Sequence, residues 1–133
     1  MPAIYPVFER PLPGADSFNG NSFSHCLTQL DEIAGIAKVT ALSRFIDRAT
    51  MAYEALDEEQ LGAIAVPPVK WIQPEEGLLT VRGIMDMIGL AKIRFHSQRG
   101  DDTEGVLTDL QQLENLLLSA AGEANRFHLL VDM

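Results

Sequence analysis

Hydrophobic residues recur along this chain with two periods. At the two ends, apolar and polar positions alternate; between the ends, apolar residues return every three or four positions. The opening run Ala3-Ile-Tyr-Pro-Val-Phe-Glu9 and the closing run Phe127-His-Leu-Leu-Val-Asp-Met133 are rich in aromatic and β-branched residues and read as strands. A lone strand leaves its backbone donors and acceptors unpaired, so the two ends are expected to pair with each other across the whole sequence. The pattern leaves open whether they run parallel or antiparallel. Pro6 removes one ladder donor and points to an edge position.

The middle reads as helix. Ser22 suits a cap for a first helix whose stripe is Phe23, Cys26, Leu27, Leu30, Ile33, Ala34 and Ala37, ending near Lys38. Thr40 suits a cap for a second helical stretch carrying Leu42, Phe45, Ile46, Ala49, Tyr53 and Leu56, as one helix or two short ones. Asp57-Glu-Glu-Gln60 has capping-box spacing for a short helical turn, and Gly62 to Val69, with Pro67-Pro68, reads as a connector. Gln73-Pro-Glu-Glu is the clearest helix start: Pro74 fits the first position, and Glu75 and Glu76 complement the positive end of the helix dipole. Its stripe is Leu78, Val81, Ile84, Met85, Ile88 and Ala91, with Gly83 and Gly89 as candidates for a close helix crossing. This helix is expected to reach about Arg94, although residues 91–95 also alternate like a brief strand. After a polar loop from Ser97 to Asp102, Thr103 suits a cap for a last helix with Val106, Leu110, Leu113, Leu117 and Ala120 on its stripe. Leu107, Leu116, Leu118 and Ala121 widen that stripe, which predicts cover on more than one side, and Gly122 suits its stop.

These elements predict one α+β domain over residues 1–133, predominantly helical, with about four helices packed on a small sheet formed by the N- and C-terminal strands. The length suits a single domain, and apolar residues at 47% are enough for a core without metals or disulfides.

Charge narrows the partners. There are 19 acidic and 10 basic residues, a net charge of −9, and such a field repels phosphate backbones and anionic headgroups. Nucleic acid is therefore a disfavoured partner. The few basic residues that gather, Arg82, Lys92, Arg94 and Arg99, are interleaved with Asp86, Asp101 and Asp102 and read as a solvated face. One cysteine, Cys26, rules out an intrachain disulfide. With no signal-peptide pattern and no membrane-length apolar run, the expected setting is a reducing cytoplasm.

Candidate chemistry is sparse. The sequence holds no dinucleotide or P-loop glycine motif, no His-Glu-x-x-His, no Cys-x-x-Cys and no calcium-loop spacing, so no cofactor and no metal are expected. Gly20-Asn-Ser-Phe-Ser24 resembles a nucleophile elbow only loosely, since the second glycine is missing. His25 and Cys26 are adjacent on a helix and point about 100° apart, too divergent for a Cys-His pair. Glu75 and Glu76 diverge likewise, and the helix dipole already accounts for them.

The terminal strands carry the best candidates. Alternation puts Phe127, Leu129 and Val131 on one face and His128, Leu130 and Asp132 on the other, with Tyr5, Val7 and Glu9 at matching parity on the opening strand. Paired, these ends predict a ledge of Tyr5, Glu9, His128 and Asp132 around Val7 and Leu130, turned away from the helices. As a binding surface it is the site expected here; as a polar sheet face with cross-strand pairs it is merely structural. No catalytic residue is assigned.

Two stretches, Trp71-Ile-Gln-Pro-Glu-Glu-Gly-Leu-Leu-Thr-Val-Arg82 and Arg126-Phe-His-Leu-Leu-Val-Asp132, resemble a set of small, acidic bacterial proteins without an established activity. In that set a similar opening strand, an Asp/Glu-Gly-Leu-x-Thr-Val-Arg helix start and a closing Phe-His-Leu strand recur in this order. The resemblance implies a bacterial single-domain protein and transfers no site residue. The favoured expectation is a small cytoplasmic, non-enzymatic protein-interaction module, one version of which is an immunity- or antitoxin-like protein that masks a basic partner. Two alternatives stand beside it. One is an enzyme with a dispersed site of Tyr5, His128 and Asp132, with Arg82 as anion partner. The other is a homo-oligomer, such as a homodimer, built on an unblunted strand edge.

Overall fold

The computed structural model describes residues 3–18, 20–47, 69–97 and 100–132. The two ends of the chain meet, as their alternation predicts, and they run antiparallel. β1 (Ala3–Phe8) pairs with β4 (Phe127–Asp132) so that Ala3 lies opposite Asp132, Tyr5 opposite Leu130 and Val7 opposite His128. Two strands alone are marginal in water, and β4 does not rely on β1 alone. On its other edge Phe127 exchanges two backbone hydrogen bonds with Ile72, 2.8 and 2.9 Å long, and the Asp47 N–H donates to the Leu129 carbonyl at 3.0 Å. The closing strand therefore sits in the middle of its layer.

Three α-helices lie among the described residues, against the four or so expected: α1 (Asn21–Ala37), α2 (Pro74–Ala91) and α3 (Thr103–Gly122). The second expected helix is not one where it is described. Leu42–Phe45 is a 3-10 turn, after which Ile46 is extended and joins the edge of β4. The sheet claims the backbone at Ile46 and Asp47, which a continuing helix would have kept for itself. The remainder of that stretch, the capping-box turn at 57–60 and most of the connector before Val69 lie outside the described residues.

Helix starts follow the sequence only in part. Pro74 opens α2 as expected, with Gln73 before it and Glu75 and Glu76 exposed in its first turn. Ser22 does not cap α1: it lies inside the helix, buried, and Gly20 precedes the first turn. A cap arrives from elsewhere, because the buried Asp109 carboxylate on α3 accepts a hydrogen bond from the Phe23 N–H at 3.3 Å. Thr103 is likewise the first residue of α3 rather than its cap. Its hydroxyl accepts from the Phe95 N–H at 2.8 Å, and its own N–H donates to Asp101 Oδ1 at 2.9 Å.

α2 stops at Ala91, short of Arg94, on Lys92 in the left-handed region (φ 52°). Residues Ile93–Phe95 are neither helix nor strand, and a two-residue pairing follows between β2 (His96–Ser97) and β3 (Gly100–Asp101). Phe95 is fully buried. That burial contributes roughly 2–3 kcal/mol against about 1 kcal/mol for its hydrogen bond to Thr103, so packing is the main anchor of this bend.

The main core joins Phe23, Leu30 and Ile33 of α1, Val81 and Ile84 of α2, Leu110, Leu113 and Leu117 of α3, and Ile4, Phe127 and Leu129 of the sheet. Of the two glycines predicted to mark a close crossing, Gly83 does so, a Cβ there lying 2.9 Å from Val39 and 3.7 Å from Ala37 at the end of α1, and Gly89, with nothing within 4 Å, does not. A Cβ on Gly77 would stand 2.7 Å from the Phe127 ring. α3 is covered on two sides, as its wide stripe predicts: Leu116 and Ala120 form a second small core with Leu12 of the loop after β1. Leu118 is an exception and is exposed.

Candidate functional site

Register assigns the outer face of the terminal sheet without ambiguity. Tyr5 with Leu130, Val7 with His128 and Glu9 with Arg126 are successive cross-strand pairs at one parity. Four of the five predicted ledge residues, Tyr5, Glu9, His128 and Leu130, are brought together on this face, and Asp132 holds the register position opposite Ala3. Arg126, which sequence reasoning passed over, grips the Glu9 carboxylate with two hydrogen bonds of 3.0 and 2.6 Å. That grip holds the Glu9 carboxyl below its usual range. The exposed pair sits at the end of the strands and fixes their register there.

His128 departs from expectation. Alternation predicts a solvent-facing ledge for it, yet only 4% of it is exposed. The parity is right, but the Lys70–Ile72 segment beside β4 brings the Trp71 ring against the imidazole, tilted by 39° with centroids 4.6 Å apart. Burial pushes the imidazole pKa down, against the opposing pull of the Asp47 charge and of a backbone hydrogen bond with Lys70. Asp47 is itself buried. The imidazole Nδ1 is buried with no hydrogen-bond partner among the described residues, which leaves Nε2 for Lys70.

Beside this face runs a groove of about 600 Å³ between β1 and the loop that follows it. Tyr5, Val7, Phe8, Leu12 and Phe18 supply apolar walls, and Arg10 and Asp16 supply charge. One wall is held by Asn125, fully buried, whose side-chain amide exchanges two 2.9 Å hydrogen bonds with the Arg10 backbone. The Arg10 guanidinium also reaches the Glu123 carbonyl. This side-chain bridge continues the β1–β4 ladder one step past Glu9 and Arg126. No sequence pattern marks it, because Asn125 follows a helix and reads only as a turn residue.

The free edge of β1 forms the floor of the groove, and its hydrogen-bonding capacity is blunted. Register turns Ile4, Pro6 and Phe8 outward. The Ile4 N–H is taken by the Gly20 carbonyl at 3.2 Å, and Pro6 has no N–H, so Phe8 alone offers an outward donor. β4 is thus paired on both sides, and the outward edge of β1 keeps one donor, at Phe8. Of the dispersed enzymatic constellation, Tyr5 and His128 share the outer face of the sheet. The groove reaches Tyr5 but not His128, while Arg82 is engaged with Glu114 between α2 and α3 at 3.2 Å. No group of three or more metal-binding side chains occurs among the described residues, and no helix there is long and apolar enough to cross a membrane.

No protein family matches the chain, and no curated protein or solved structure shows significant similarity to it.

Proposed function

We propose that this protein is a non-enzymatic interaction module that receives an extended, basic segment of a partner protein in the groove beside β1. The groove is the observation that carries the reading. Its lining includes Tyr5 and Arg10, residue types enriched at binding hot spots, beside apolar Phe8 and Phe18. Its length along a strand suits an extended chain, whose apolar side chains would enter it while its backbone finds the Phe8 N–H and the outward carbonyls. The net charge of −9 selects a basic partner and speeds its approach. Masking of a basic toxin-like protein is one form such a module takes. The reading places it in a reducing bacterial cytoplasm, in keeping with a single cysteine, Cys26, packed in the core.

Selection from a displayed library of random peptides at low salt tests this. Enriched peptides are expected to combine basic and apolar residues. They are expected to bind Val7→Glu about tenfold more weakly, a loss on the order of 1.4 kcal/mol, and to bind Leu90→Glu, changed on the exposed face of α2, as they bind the parent. Peptides indifferent to Val7→Glu, or no enrichment at all, would refute the proposal.

A further inference from the structure

His128 joins three features that are seldom found together. It is nearly fully buried, its Nδ1 lacks a partner among the described residues, and its ring is covered by the chain's single tryptophan. With Nε2 engaged by Lys70, the stable form is the neutral ring carrying its proton on Nε2. A second proton would go to Nδ1 and place a charged N–H where no described acceptor meets it. We propose that His128 is an acid-sensitive latch: protonation at Nδ1 expels the imidazole and releases the Lys70–Trp71 end of the Lys70–Ile72 strap from the sheet.

Each element around the ring bears on this. From β1 the directly opposite residue is the apolar Val7; the diagonal Glu9 is committed to Arg126 and Tyr5 is uncharged. On its own strand the ring lies between Arg126 and Leu130 at the same parity, and Arg126 is cationic. The strap brings Trp71 and Lys70, the latter donating its ammonium to the Arg44 carbonyl at 3.0 Å. The segment after the 3-10 turn brings Asp47, the one carboxylate among the described residues whose charge acts on the imidazole. Asp47 favours the imidazolium, but burial outweighs it and holds the imidazole pKa below its ordinary value.

The strap is built to let go locally. It is tied to β4 at Ile72 by two backbone hydrogen bonds to Phe127 and at Lys70 through the imidazole, while the Lys70 ammonium holds the Arg44 carbonyl rather than β4. Losing the second tie leaves the first, so the Trp71 end can lift while the helices stay packed. Val7 faces His128 on one side and lines the groove on the other. The latch therefore also regulates the groove, a consequence that rests on the binding role proposed above: acid weakens retention of the extended segment.

The free protein reports the latch. Tryptophan emission, followed from roughly pH 8 to roughly pH 5, is expected to shift to the red as a single-proton transition with its midpoint below the ordinary histidine value of 6.5. Helical circular dichroism should stay constant across it. His128→Gln should abolish the transition, and His96→Gln, on an exposed residue, should leave it in place. Should His128→Gln fail to fold, nitrogen NMR of the imidazoles in the unaltered protein decides: the latch requires the Nε2–H tautomer at high pH. A flat emission profile, a transition that survives His128→Gln, loss of helicity in step with the emission change, or a proton on Nδ1 at high pH would each overturn it. If the transition is present but selected peptides do not bind, the binding role fails and the latch stands. If those peptides bind with unchanged affinity through the transition, the regulatory consequence fails.

Discussion

Gly20 is the residue on which the junction of β1 and α1 depends. Its carbonyl accepts from Ile4 and from Ser24, and a Cβ there would lie 1.5 Å from the Ile4 carbonyl oxygen. The obstacle is backbone, so no rotamer change relieves it. Gly20→Ala is expected to cost about 3 kcal/mol or more, measured by urea denaturation; a loss below about 1 kcal/mol would mean that the junction yields. Gly77→Ala meets ring and methyl atoms of Phe127 and Leu117, which can give way, so it should cost less. Titration acts at the same scale, and three lowered pKa values carry the same sign. The native state binds fewer protons than the unfolded chain at His128, Glu9 and Asp101, so stability falls with pH at each. Loss at His128 begins as pH drops below 6.5 and is complete once its depressed native value is passed. Losses at Glu9 and Asp101 follow only below 4.5 and 3.8, the latter carboxyl held low by Thr103 and then Arg94. Denaturation midpoints measured against pH should therefore show an early decline that His128→Gln removes and a later one that it leaves.

At the scale of elements, the β1–β4 pairing makes a prediction in alternation. The N–H groups of Tyr5, Val7 and Glu9 point at β4 and should exchange slowly with solvent deuterium, whereas the Phe8 N–H points into the groove and should exchange fast. Equal protection at Phe8 and Val7 would mean that something covers the β1 edge. The trans cap gives a second test: Asp109→Ala should cost about 1–2 kcal/mol and raise exchange selectively in the first turn of α1. These elements also show how far the sequence could be read. Alternation in Phe127–Asp132 and the stripes of α1, α2 and α3 are local patterns, and the parity of the terminal face followed from them. The burial of His128 was not legible, because its cover, Trp71, comes from a distant segment with no periodicity of its own. Asp109 and Asn125 were invisible for the same reason: each satisfies a backbone group far away in sequence. The second helix failed where Ile46 and Asp47 are drawn into the sheet edge, a competition that helical spacing cannot register.

The whole molecule is an acidic helical body closed by its own two ends, with a groove beside the strand that opens the chain. Closure ties the groove to the fold: β1 forms its floor, β4 holds β1, and Asn125 fixes the adjoining wall. Phe127→Ala, at the centre of this closure, should cost about 3–5 kcal/mol and weaken peptide binding along with stability. A charged partner recognised by a net charge of −9 should bind more weakly as salt is raised. The most direct test is amide chemical-shift mapping of the isotopically labelled protein during titration with a selected basic peptide. The groove account predicts that the large shifts cluster at Tyr5, Val7, Phe8, Arg10 and Phe18. Shifts centred instead on the exposed Leu79 and Leu90 of α2, with the β1 amides unmoved, would contradict it.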